Sequence, residues 1–134
     1  MKDYVLDYIN SLYFELRPSK IHGVGLFSIC DISVGSNIFP LWNGDTSEYN
    51  ISIKKIKPHV LEVIQKYFPI VDGKIKLLLI HNFCFWFPWR IYTNTHSKFN
   101  ITYDGTALYD IKKNDEILLK TYFDSYSEKP NKIF

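Results

Sequence analysis

Turn signals punctuate this 134-residue chain about every ten residues: Pro18-Ser19, Gly23 and Gly25, Gly35, Asn43-Gly44, Pro69, Asp72-Gly73 and Asp104-Gly105. Segments that short suit strands better than helices. The expectation is therefore a mainly β fold with a few short helices. The chain is of a size to bury a real core without staples, and with 46% hydrophobic and 17% aromatic residues it is not disordered.

Apolar spacing at Val5, Leu6, Ile9 and Leu12 predicts a short N-terminal helix. Strands are expected at 13–17, 24–27 and 37–42, the last ending at Asn43-Gly44. Residues 45–57 read as a polar, Lys-rich loop. Pro58 is well placed as the first residue of a helix that turns Val60, Leu61, Val63 and Ile64 inward and stops at Pro69. Residues 74–80 read as a buried strand or a short helix. Asp104-Gly105 predicts a hairpin between 101–103 and 106–109. No internal repeat stands out.

Between the aromatic run Phe83–Trp89 and that hairpin lies a polar knot: Asn94, Thr95, His96, Ser97 and Asn100. Polar groups pressed between apolar segments need partners, since each unpaired buried group costs about 1–3 kcal/mol. The partner is either the chain itself, through side chains that cap their own backbone, or a ligand. Gly23-x-Gly25 between two strands equally suits close approach of a ligand or of another strand.

Other chemistries are less well supplied. His81, Cys84 and His96 lack the further ligand that a structural zinc needs, so no metal is expected. Cys84 lies in the most apolar stretch, where burial makes a thiol inert. The mixed charge, 16 basic against 14 acidic residues, argues against phosphate-driven nucleic-acid binding. The longest apolar run, 77–89, falls short of the roughly 20 residues of a membrane span. The N-terminal residues do not read as a signal peptide, so both thiols are expected to be reduced and the protein intracellular, in the cytoplasm or, were it viral, in a host nucleus.

Three segments, in order, resemble the SET domain of protein lysine methyltransferases. The first is Ser19 to Ile38, with Ser19 to Ser28 followed by Asp31-Ile32 and Gly35, similar to that family's opening strand pair. The second is the knot, where the family carries Asn-His-Ser-x-x-Pro-Asn. The third, Ala107-Leu108-Tyr109-Asp110-Ile111 through Asp115-Glu116-Ile117, is similar to Ala-x-Arg-Asp-Ile-x-x-Gly-Glu-Glu-Leu. The chain departs from the pattern at Thr95, in place of His, and at Phe99, in place of Pro. The family's C-terminal tyrosine falls at Thr121 by strict spacing and at Tyr122 with a one-residue bulge.

The resemblance implies one domain over 1–134, with core motifs at 17–45 and 90–122, a variable insert at 46–89 and a tail at 123–134. The fold implied is a β-clip of short twisted sheets with a knot-like C-terminal threading. It implies methyl transfer from S-adenosylmethionine to a protein lysine, a histone or another protein, with S-adenosylhomocysteine as product. His22, Gly23, Val24, Gly25, Asn94, Thr95, His96 and Ser97 would hold the cofactor, and Tyr122 and Tyr92 would be catalytic. Trp42, Trp86 and Trp89 would wall the lysine channel. Packing of the tail, helped by a homodimer, would close that channel. The alternative is a non-catalytic module of the same fold that binds a peptide or protein.

Overall fold

Among residues 3–120, which the computed structural model describes, the turn punctuation is realised as six short strands and three short α-helices. The elements are α1 (Asp3–Ile9), β1 (Phe14–Pro18), β2 (Val24–Ser28), β3 (Ser47–Ser52), α2 (Pro58–Ile64), β4 (Lys74–Leu79), α3 (Phe87–Arg90), β5 (Asn94–Thr95) and β6 (Glu116–Leu119). The fold is mainly β with a few short helices. No helix among the described residues is long and apolar enough to cross a membrane. Two compact units emerge, one from the residues up to Tyr13 with Ile38–Pro88, the other from Phe14–Asn37 with the residues from Trp89 on. The expected tail, 123–134, and the C-terminal threading lie outside the described residues.

In the first unit β3 and β4 form an antiparallel ribbon, in register from Ser47 opposite Leu79 to Ser52 opposite Lys74. Alternation along β4 buries Ile75, Leu77 and Leu79 and exposes Lys74, Lys76 and Leu78, as a ribbon with one face on a core requires. α2 begins at Pro58, whose missing N–H costs nothing at a helix start, and buries Val60, Val63 and Ile64. β3 occupies the stretch read as a polar loop. Its sequence, Ser-Glu-Tyr-Asn-Ile-Ser, has little strand character, and the ladder with the apolar β4 supplies what the local sequence lacks.

The strand expected at 37–42 does not form. Ile38, Phe39 and Trp42 are all buried, a spacing that breaks two-residue alternation, and Pro40 has no N–H to give a ladder. Trp42 instead exchanges backbone hydrogen bonds with the loop at 82–83: its N–H donates to Phe83 O at 3.0 Å, and its carbonyl accepts from Asn82 N–H at 2.7 Å. The indole N–H donates to Asp45 O at 2.9 Å. Around the ring stand Tyr4, stacked at 5.5 Å, and Tyr8 and Tyr49, edge-on at 5.2 and 5.8 Å.

Tyr8 links α1 to two loops of this unit. Its hydroxyl donates to Pro40 O and accepts from Phe85 N–H, both at 3.0 Å. Burial pushes the phenol up to about 12. The folded state therefore holds a proton that the unfolded chain, at about 10, has begun to release. The associated stability is complete below pH 10 and is lost as pH rises through 12. Tyr8→Phe is expected to cost about 1–3 kcal/mol, because Phe85 N–H and Pro40 O lose their partner. It should also flatten the alkaline limb of a stability–pH curve measured by urea unfolding; a limb of unchanged steepness would rule Tyr8 out as its source.

In the second unit the sheet order is β1-β2-β6-β5. β1 is an edge strand, where Pro18 is tolerated. β2 pairs antiparallel with β1 and β6, and β5 runs parallel to β6, Asn94 opposite Leu118 and Thr95 opposite Leu119.

Beyond the sheet, two Asp-Ile turns clasp each other reciprocally. Ile32 and Ile111 exchange backbone hydrogen bonds at 2.7 and 2.8 Å. Asp31 Oδ1 accepts from Lys113 N–H at 3.0 Å, and Asp110 Oδ1 from Val34 N–H at 2.9 Å. Gly35 N–H donates to Ala107 O and Asn114 N–H to Ser28 O. Position by position this is a local two-fold, and the left-handed residue of each turn is Gly35 (φ 89) or Asn114 (φ 76), types that tolerate that region. The repeat is too brief to stand out in the sequence. At 101–109 the turn at Asp104-Gly105 forms, but its flanks pair only through the single bridge Ile101–Ala107.

Candidate functional site

Asn94 sits on β5, a strand two residues long that is held in place by its parallel neighbour β6. From there its side-chain amide reaches three acceptors: His22 O at 3.0 Å, Val24 O at 3.1 Å and Glu116 Oε2 at 3.0 Å. Glu116 also accepts from Ser19 Oγ, at 2.9 and 3.0 Å to its two oxygens, and Ser19 Oγ in turn receives Ile21 N–H at 3.0 Å. One amide group thus fastens the turn between β1 and β2 to β6. Residues far apart in sequence, 19–25, 94 and 116, become one polar cluster.

The glycines have separate duties. A Cβ on Gly25 would lie 2.3 Å from Glu116 Oε2 and 3.0 Å from Asn94 Nδ2, so the cluster closes only over a bare backbone. Of the two readings of Gly-x-Gly, close approach of another strand is the one that holds for Gly25. Gly23 has φ +45, a left-handed conformation that favours glycine, and a Cβ there would meet nothing within 4 Å. Its surface is open, flanked by exposed His22 and Val24.

The rest of the knot is also partly spent on the chain. Asn100 forms a two-way clasp with β6, donating to Glu116 O at 3.0 Å and accepting Leu118 N–H at 2.8 Å. His96 N–H donates to Leu119 O at 2.9 Å, and its ring Nδ1 accepts Lys98 N–H at 3.0 Å. That acceptor role puts the ring proton of the neutral imidazole on Nε2. Thr95 and Ser97 are exposed.

The sequence-predicted cofactor residues thus fall in one unit: His22 and Gly23 on the β1–β2 turn, Val24 and Gly25 at the start of β2, and Asn94–Ser97 on and after β5. Tyr92 and Trp89 belong to the same unit. Tyr92 is 45% exposed on a turn closed by its N–H on Trp89 O, and the Trp89 ring meets Phe14 edge-on at 6.1 Å. Trp42 and Trp86 belong to the first unit and are buried in its core, 2% and 3% exposed. Trp86 packs edge-on to Phe85 at 4.7 Å, and both indoles have little surface left to offer a ligand. Tyr122 lies outside the described residues. Among the described residues no three His, Cys, Asp or Glu side chains come together to hold a metal ion.

Ser19 and Glu116 are the members of the cluster to which sequence reasoning gave no role. Each stands inside a motif segment, but their pairing is set by sheet order rather than by local sequence.

The cluster offers an open glycine-backed turn, exposed backbone and imidazole, and a half-buried carboxylate already satisfied by its neighbours. Such a surface can take a ligand that lies along backbone. No protein-family model matches the sequence, and no curated protein matches it either. Among solved structures, a candidate histone methyltransferase from Plasmodium falciparum aligns with 83% of this chain and 96% of its own, at 17% identity and a TM-score of 0.39.

Proposed function

We propose that this chain is a small SET-type enzyme that methylates a lysine side chain of a protein with S-adenosylmethionine. The observation that carries the reading is the Asn94 amide. It joins the first and third of the segments that resemble the SET family, and it does so from within the second. Three motifs with no local reason to meet share one hydrogen-bond cluster.

The residues present fit the cofactor. Gly23 leaves its turn open, and carbonyls and Nε2 of His96 are groups that can face an adenosyl moiety. When bound, S-adenosylmethionine supplies a methyl group on a sulfonium, ready for direct displacement. His22, Gly23 and Val24 on one side and Thr95, His96 and Ser97 on the other would hold it. Gly25 and Asn94 act by position, fixing the turn. The protein must align the lysine nitrogen with the methyl, exclude water and take one proton from an ammonium whose ordinary pKa is about 10.4. Tyr122, with Tyr92 near the lysine, is the residue proposed for that alignment.

Engagement of the Asn94 Nδ2 donors within the chain favours a second reading, a peptide-binding module of the same fold in which the knot is structural. Calorimetric titration with S-adenosylhomocysteine separates the two. The enzyme reading expects one-to-one binding that His96→Ala weakens at least about tenfold, a loss of about 1.4 kcal/mol. It also expects Tyr122→Phe to abolish methyl transfer while leaving binding intact. Binding that His96→Ala leaves unchanged would overturn the placement of the site. Failure of the folded protein to bind, with or without a basic peptide, would leave the module.

A further inference from the structure

The first unit carries a groove of ≈ 480 Å³ on the outer face of the β3–β4 ribbon, lined by Asn50, Lys74, Lys76, Pro69, Val71 and Asp72. The volume is that of an ordinary small-molecule site. Its floor is cationic: Lys74 and Lys76 stand two apart on one face of β4, about 7 Å along the strand, with Asn50 directly across from Lys76. Its wall is apolar, formed by Pro69 and the exposed Val71. Asp72 stands at the rim.

The groove is preformed. Val71 and Lys74 exchange backbone hydrogen bonds at 2.9 and 3.0 Å, closing a two-residue turn in which Asp72 (φ 52) and Gly73 (φ 71) are both left-handed, as the tightest hairpin turns require. Ile53 N–H donates to Gly73 O at 3.0 Å and ties down the tip. The loop wall is therefore fixed to the strand that forms the floor.

The polar groups of the floor have little to do within the chain. Among the described residues Asn50 and Lys74 make no side-chain hydrogen bond or ion pair. Lys76 has only Glu48, at 3.9 Å with both side chains 65% exposed, an arrangement that holds weakly. Two ammonium groups and an amide suit a phosphate dianion. The apolar wall suits a flat body, and the Asp72 carboxylate can accept from a neighbouring hydroxyl.

We propose that this groove binds a phosphomonoester carried on a flat, hydroxyl-bearing body of the size of a nucleoside monophosphate. The site is independent of the methyl-transfer reading, because every residue in it belongs to the first unit. The probe is uridine 5′-monophosphate, which lacks adenine and so does not report on the proposed cofactor site.

Titrated into ¹⁵N-labelled protein, it should shift the amides of Asn50 and of residues 71–76 saturably. Charge reversal at both lysines, Lys74→Glu with Lys76→Glu, should weaken binding at least about a hundredfold, ten for each contact. Both positions are exposed, so the variant should melt with the wild type. Uridine and inorganic phosphate should each bind far more weakly than the nucleotide. The proposal is overturned if no saturable shift appears at millimolar nucleotide, if charge reversal leaves the affinity unchanged, or if either fragment alone binds as well as the whole.

Discussion

Gly44→Ala, the addition of one methyl group, is expected to destabilise the first unit severely. A Cβ at that position would lie 2.2 Å from Cζ2 of Trp42 and within 2.8 Å of two further ring atoms. Neither side can yield cheaply. The indole is held by its hydrogen bond to Asp45 O and by the rings of Tyr4, Tyr8 and Tyr49, and overpacking of a filled core costs about 1–3 kcal/mol. Trp42→Ala should cost more, about 3–5 kcal/mol, from the lost transfer energy and the cavity left behind.

The decisive measurement is the double-mutant cycle by urea unfolding. Once the indole is gone the added methyl has room, so Gly44→Ala should cost little in the Trp42→Ala background, a coupling beyond the 0.3–0.5 kcal/mol expected of independent sites. Additive costs would mean that Gly44 does not abut Trp42.

That contact was not legible in the chain, although Trp42-Asn43-Gly44 was. A Trp followed closely by Asn-Gly reads as the end of a strand, because turn chemistry is local and the burial that decides the matter is not. What defeats the strand at 37–42 is Pro40 and the simultaneous burial of Ile38 and Phe39. What creates β3 from six weakly strand-like residues is a partner more than twenty positions on. Elements whose cause lies in their own sequence were legible: α2 behind Pro58, the α1 spacing, the turn at Asp104-Gly105. β1 and β2, expected at 13–17 and 24–27, were legible as well; β3 and the irregular course of 37–42, decided by partners, were not.

The site follows the same rule. Motif order brought Gly23, Gly25, Asn94 and His96 forward as a group, and all of them stand in one unit. The sequence left open whether the knot spends its polar groups on the chain or on a ligand, and the structure divides the work. Asn94 and Asn100 serve the chain, whereas the exposed Thr95, Ser97 and His22 and the open turn at Gly23 are left facing outward. Glu116 could not be assigned a role from its own neighbourhood, since its partners Ser19 and Asn94 are set by sheet order.

Asn94→Asp should be more damaging than Asn94→Ala, although it is the smaller change in shape. Removing the amide takes the donor from the exposed carbonyls of His22 and Val24 and leaves Glu116 Oε2 with Ser19 Oγ alone, a loss of about 1 kcal/mol. Replacing it with a carboxylate adds repulsion, because the new oxygen would face Glu116 where Nδ2 now stands 3.0 Å away.

Two carboxylates that close cannot both ionise, so one holds its proton above the ordinary range. Its folded-state pKa then exceeds its unfolded value. The associated stability is complete in acid and is lost as pH rises through the folded pKa. Asn94→Asp should therefore recover as pH falls toward 4. Glu116→Gln in the same chain removes the repulsion and should bring the stability at neutral pH back to about that of Asn94→Ala, since His22 O and Val24 O still lack their donor. If the cluster also shapes the cofactor turn, S-adenosylhomocysteine affinity should fall with the single change and return with the second. An Asn94→Asp protein as stable as Asn94→Ala at every pH would show that the amide and Glu116 do not meet.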